Sequence, residues 1–201
     1  CYNKIMEIQR PKSKQPIPEN AKRVFKGILF DVYQWEQEMF DGSRTIFEKL
    51  KRPDTVVILP VLPDGKIILI EERQPGSESV IGIPGGRIDK DEEVLKAAKR
   101  ELLEETGYEA EKFILWDAQQ IVNKIDWVIY VFIAKGLRKI TEPHLDNGEK
   151  ITLKPVTFEE LINIGTDTSA RFIETEITPK LLEAKLDPKK KEELRKLFSP
   201  L

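Results

Sequence analysis

Three glutamates and an arginine crowd one short stretch, Arg100-Glu101-Leu102-Leu103-Glu104-Glu105-Thr106-Gly107, with Glu92 and Gly85-Gly86 shortly upstream. On a helix turning about 100° per residue, Val94, Ala98 and Leu102 form one apolar stripe with Leu95 on its edge. Glu101 and Glu105 fall within about 20° of Val94 on the same wheel, and Glu104 lies about one step to the side. Lys96, Lys99 and Arg100 occupy the other side, where a solvated charged face is expected. An ordinary surface helix would lace such charges into pairs four residues apart, Arg100 with Glu104 for example. Carboxylates four apart on a core-facing stripe instead repel one another and lose hydration, which costs several kcal/mol per ion unless a cation or protons compensate. Hard divalent cations take oxygen ligands, and Mg²⁺ sits between one or two carboxylates, waters and phosphate oxygens. The stretch therefore reads as a metal cluster facing a phosphate ligand. The preceding Pro84-Gly85-Gly86 lets the backbone approach that cluster, so a peptide carbonyl can join the ligands.

The elements that must position these residues can be read from periodicity. Residues 89–106 turn helical, with Asp89 and Glu92 at capping-box spacing and Gly107 just past the end. Before them, residues 23–37 and 45–50, joined through Asp41-Gly42, give a strand-turn-strand signal, and residues 55–61 and 66–70 flank Pro63-Asp64-Gly65 as a second hairpin. After them, residues 127–134 make the strongest later strand and 150–156 a shorter one. Thr157 with Glu160 caps a helix to Ile164, and residues 178–184 and 189–198 are helical. Residues 1–20, interrupted by Pro11, Pro16 and Pro18, read as an arm with little structure of its own. Strands with interposed helices indicate an α/β architecture with a mixed sheet between helices.

Composition narrows the chemistry. A chain of 201 residues, 40% apolar and 34% charged, suits one globular core. A net charge of −2 offers no basic field for a nucleic-acid backbone, while small phosphorylated ligands stay open. One cysteine, Cys1, and one histidine, His144, leave almost no material for a Ser-His-Asp or Cys-His centre or a His/Cys zinc site. With no long apolar run for a membrane span, a soluble cytoplasmic protein is the expectation.

The stretch from Gly86 to Tyr108 resembles the Nudix box, Gly-x5-Glu-x7-Arg-Glu-U-x-Glu-Glu-x-Gly-U with U a bulky apolar residue, and Tyr108 is its one soft departure. Seven fixed residues at this spacing arise by chance less than about once in 10⁵ such chains. The resemblance implies a Nudix hydrolase: Glu101, Glu104 and Glu105 as metal-binding glutamates, the Gly85 carbonyl as backbone ligand, and Glu92 with Arg100 as the pair that orients helix and loop. Gly86 and Gly107 are the structural glycines of the box. Glu105 and Glu104 are the catalytic candidates within it, with Mg²⁺ as the cation and Mn²⁺ as the alternative.

Outside the box, residues 24–38, Asp41-Gly42-Ser43, Arg52-Pro53-Asp54 and 56–63 resemble the ADP-ribose pyrophosphatase branch, over about residues 22–160. That resemblance implies an α/β/α sandwich with a mixed sheet over residues 55–201, preceded by a small antiparallel sheet within residues 1–54 that is exchanged between the two subunits of a homodimer. It makes Trp35, Tyr33 and Arg52 substrate-binding candidates, and Glu149, in Asp146-Asn147-Gly148-Glu149, the loop base or extra metal ligand. Where the branch reads Tyr-Arg-Pro, this chain reads Arg73-Gln74-Pro75, so Arg73 becomes the displaced candidate for the phosphate. Val122-Asn123-Lys124 likewise replaces a Ser-Pro-Gly-like loop. The expected substrate is a nucleoside diphosphate joined to a sugar or similar group, ADP-ribose first. A nucleoside triphosphate pyrophosphatase and a non-catalytic nucleotide-sugar sensor are the alternatives.

Overall fold

The computed structural model describes residues 8–145, 148 and 150–201. Three strands open the fold: β1 (Lys22–Lys26), β2 (Asp31–Glu38) and β3 (Arg44–Lys51). Next come β4 (Thr55–Pro60), β5 (Ile67–Arg73), β6 (Val80–Gly82) and β7 (Gly85–Arg87), which lead into helix α1 (Val94–Thr106). Beyond it lie β8 (Tyr108–Gln119), β9 (Ile125–Asp126), β10 (Ile129–Lys139) and β11 (Lys150–Val156). Helices α2 (Phe158–Thr166), α3 (Thr178–Leu186) and α4 (Pro188–Leu197) end the chain.

The central sheet runs β7-β4-β10-β8, with β10 parallel to β4 and antiparallel to β8, and a second sheet runs β11-β5-β6. Period-two alternation divides the core between two layers. Val56, Ile58, Tyr130 and Phe132 face α1 and pack with Ala97, Ala98 and Leu102. Val57, Leu59, Val131 and Ile133 face the opposite side, where Leu161 of α2, Leu181 of α3 and Leu194 of α4 cover them. This is the expected α/β/α sandwich. No helix among the described residues is long and apolar enough to cross a membrane.

Four local expectations are corrected. Residues 23–37 form two strands, because the chain reverses between Gly27 and Phe30, where the Gly27 N–H donates to the Phe30 carbonyl at 2.9 Å. Helix α1 begins at Val94 rather than Asp89: Asp91 takes a φ of 64°, which turns the chain and defers the helix. Only half of the capping box remains, the Asp89 N–H donating to Glu92 Oε2 at 3.0 Å. Strand β8 was not expected at all; as the edge of its sheet it is half exposed, so charges such as Glu109, Glu111 and Lys112 hide its alternation. Finally, the N-terminal antiparallel strands gain a parallel neighbour, with Leu50 opposite Ile125 and Lys51 opposite Asp126.

The arm has no regular structure over residues 8–20, yet it is fastened. Arg10 bonds both oxygens of Asp54, at 2.7 and 3.0 Å, and Asp126 at 2.9 Å. The buried ammonium of Lys49 donates to Ser13 Oγ and to the Gln15 carbonyl.

Candidate active site

Helix α1 ends as its sequence requires, on Gly107 with a left-handed φ of 72° and its N–H bonded to the Leu103 carbonyl. That end brings Glu101 and Glu105 against the turn formed by residues 82–86, with Glu104 joined to Glu101 through Arg100. The Gly85 N–H donates to Glu105 Oε2 at 2.8 Å. A Cβ at Gly86 would stand 2.3–2.7 Å from the Glu101 carboxylate, and one at Gly85 would stand 2.2 Å from the Val56 carbonyl. Both glycines are thus required by close approach, one to a carboxylate and one to the neighbouring strand.

Arg100 is the organising cation. It does not lie on a solvated face as the wheel suggested, because residues 87–92 fold back over it. Its Nε and one terminal nitrogen hold Glu92 in a bidentate pair at 3.0 and 2.9 Å, and the second terminal nitrogen donates to Glu101 at 2.7 Å and to Glu104 at 3.0 Å. A further bond reaches the Arg87 carbonyl at 3.0 Å. Charge-assisted bonds of this kind fix geometry as well as energy. Within the cage, the Arg100 hydrogen bonds hold the Glu92 carboxyl below the usual carboxylate range. Burial pushes Glu101 up, against the pull of Arg100.

The donor set fits a hard divalent cation: three carboxylates and a peptide carbonyl, all oxygen, beside a turn stripped of side chains. Among the described residues no three acidic, His or Cys side chains already converge into a metal cage. Glu101 and Glu104 are drawn to Arg100, and Glu105 to the Gly85 amide.

Other sequence candidates fall at separate places. Arg52 is sandwiched between aromatic rings, its guanidinium 4.3 Å from the Trp127 centroid and 5.7 Å from that of Phe30. Its buried Nε has no hydrogen-bond partner, and burial, reinforced by Arg87, lowers its affinity for the proton. Trp127 and Phe30 were not singled out in the sequence; Trp127 read only as a strand residue. Trp35 is 6% exposed, packs against Phe47 and donates from Nε1 to Gln37 at 3.2 Å. Tyr33 lines a cavity beneath the arm with Arg10, Lys12 and Lys51. Arg73 is exposed at the end of β5 opposite Lys150, and the two border a cavity of about 400 Å³ with Pro75 and Gly148. Glu149 lies outside the described residues.

Residues 51–180 match the NUDIX domain. The chain is 33% identical over 146 residues to the ADP-ribose pyrophosphatase of Bacillus subtilis (strain 168), spanning 71% of this chain and 79% of that protein. It is 30% identical over 146 residues to the methanol dehydrogenase activator of Bacillus methanolicus, spanning 71% of this chain and 78% of that protein. Among solved structures, the crystal structure of an ADP compounds hydrolase superposes with a TM-score of 0.59 at 26% identity, covering 76% of this chain and 85% of that one.

Proposed function

Because the chain belongs to the Nudix family of hydrolases, we propose that it is a pyrophosphohydrolase dependent on a divalent cation, Mg²⁺ first, that cleaves nucleoside diphosphates linked to a sugar or similar group. ADP-ribose is the first candidate. Water adds to one phosphorus, the P–O–P bond breaks, and AMP and ribose 5-phosphate leave. The observation that carries this reading is the Arg100 cage, which presents Glu101 and Glu104 beside Glu105 and the Gly85 turn. A bound divalent cation at these oxygens would draw charge from the diphosphate and lower the pKa of a nearby water.

The protein's own groups supply the rest. Arg52, with its buried Nε unpaired and like-charged Arg87 near it, suits an anionic, aromatic ligand that could share the Trp127 and Phe30 rings. Arg73 and Lys150 give a second basic edge at the base of the loop that carries Glu149, the proposed base. The N-terminal element, residues 1–54, is the proposed homodimer surface. Val24 and Phe25 of β1 are exposed, as are Ile28, Phe40 and Ile46, an apolar display that a second copy would cover.

The relative named as a methanol dehydrogenase activator supports a second reading, a Nudix protein whose nucleotide binding serves another protein. The intact set of box carboxylates favours hydrolysis. A panel of ADP-ribose, sugar nucleotides, dinucleotides and nucleoside triphosphates with Mg²⁺, products identified by mass, separates the readings. Glu105→Gln should lower turnover by at least about two orders of magnitude, while its oxygen still accepts the Gly85 N–H. Near-normal turnover in that folded variant excludes the metal-ligand assignment.

A further inference from the structure

The turn over the candidate cation site is fastened from below by a side chain far from the box. Residues 171–173 run beside β6: the Ile81 N–H donates to the Arg171 carbonyl, the Ile173 N–H to the Ile81 carbonyl, and Ile81 bridges Phe172 in parallel. This isolated bridge delivers Glu174 under the turn. Its Oε1 accepts the Ile83 N–H at 3.2 Å, two residues before Gly85. Gly82 leaves the space for it, since a Cβ there would stand 2.9 Å from that same oxygen.

Glu174 is only half-buried as a residue, but its carboxyl group reaches into the interior beside Glu176. Glu176 is 5% exposed, and its Oε1 is buried with no partner. Its backbone carbonyl is tied to β8 by the Gln119 side chain at 2.9 Å. Burial, with Glu176 and then Glu105 nearby, pushes the Glu174 carboxyl well above the usual carboxylate range.

We propose that Glu174 is a positioning residue for the cation site: by holding the Ile83 amide it fixes the turn that presents the Gly85 carbonyl and binds Glu105. The role rests on the assignment of Gly85 and Glu105 to the cation. The turn is also anchored through its backbone: the Pro84 carbonyl accepts the Ile58 N–H at 2.7 Å, Gly85 and Gly86 pair with Val57 and Val56 of β4, and Gly82 pairs with Ile70 of β5. Ile58 ties the turn to β4, Glu105 ties it to α1, and Glu174 ties it to the C-terminal layer. Partners that orient metal ligands without touching the metal are worth about 10- to 100-fold in affinity. Because Glu174 acts as a hydrogen-bonding group inside the fold, an amide of the same shape should replace it.

The test is Mn²⁺ binding to the intact chain without nucleotide, followed by the electron paramagnetic resonance of free Mn²⁺. Glu174→Ala should raise the dissociation constant about 10- to 100-fold. Gly82→Ala, which displaces the same oxygen through the flexible end of a side chain, should do likewise; it decides the matter if Glu174→Ala does not fold. Glu174→Gln should stay within about threefold of the parent. The positioning role is overturned if folded Glu174→Ala and Gly82→Ala bind Mn²⁺ as the parent does while Glu105→Gln loses it. It is overturned equally if Glu174→Gln falls as far as Glu174→Ala, since charge would then be the cause. If Glu105→Gln also binds normally, the cation assignment itself fails and takes this one with it.

Discussion

Arg100→Met tests whether the box is held together by one cation. The substitution keeps an unbranched apolar stem in α1 and removes every bond to Glu92, Glu101, Glu104 and the Arg87 carbonyl. The Glu92 and Glu101 side chains are 9% and 11% exposed, so neither is rehydrated freely, whereas Glu104 at 46% is. Removing one partner from a buried pair costs about 3–5 kcal/mol, and the exposed third carboxylate argues for the lower end, about 3 kcal/mol at neutral pH. The pH dependence has a definite sign. Glu92, lowered by Arg100, gives stability that is present above its unfolded pKa and is lost as pH falls through its folded value. Glu101, raised by burial, costs stability at neutral pH and returns it as pH falls; without Arg100 that cost grows. Both effects make the variant's deficit largest near neutrality and smallest in acid. Urea unfolding at fixed protein concentration, followed by tryptophan fluorescence at pH 7.5 and pH 4.5, should show a smaller deficit at pH 4.5 than at pH 7.5. A deficit below about 1 kcal/mol at pH 7.5, or one equal at both pH values, would refute the cage as described.

Arg52→Ala should raise KM for the best substrate about tenfold with little change in kcat, because it removes a cation held between two rings and no partner of the box; an unchanged KM separates Arg52 from the substrate. Deleting residues 1–54 should give an insoluble or poorly folded product, and a stable, active monomer by light scattering after that deletion would reject the proposed dimer surface. Glu149→Gln should lower kcat far more than KM if Glu149 is the base. A larger kcat loss for the neighbouring control Asp146→Asn would move the role to Asp146.

What was legible in the sequence depended on how far apart the interacting residues lie. The box was legible because its carboxylates, glycines and arginine sit at fixed short spacing, and residues 55–61 read as a strand because they are a nearly continuous apolar run, which β4 buries on both faces. Arg100 shows the limit of the wheel. A helical projection places it beside Lys96 and Lys99, but the loop with the left-handed Asp91 returns Glu92 onto it, and no projection of the helix alone contains that loop. Pairings across long separations were invisible for a plainer reason. The Glu174–Ile83 bond joins residues 91 apart, and the bond from the Val128 N–H to Asp54 joins residues 74 apart. Neither position carries a local pattern. Trp35 illustrates the converse: a tryptophan in a strand near a candidate site satisfies two readings equally, and its packing on Phe47 depends on the cross-strand register of β2 and β3.

Asp54 explains why the N-terminal element cannot be treated as an appendage to the catalytic layers. One of its oxygens accepts the Val128 N–H at 2.9 Å, both receive Arg10 of the arm, and its backbone carbonyl accepts the Ile88 N–H at 2.9 Å. Val128 leads into β10, the central strand that β4 and β8 flank, and Ile88 follows β7 in the loop that folds back over Arg100. A single side chain and its peptide therefore join the arm, the core sheet and the box loop. The pairing of β9 with β3 adds a second tie in the same region, and the Arg52 N–H donates to the Asp126 carbonyl at 3.3 Å beside it. The N-terminal strands, Arg52 and the box loop therefore share one hydrogen-bonded junction, between the places proposed for the nucleotide and the cation.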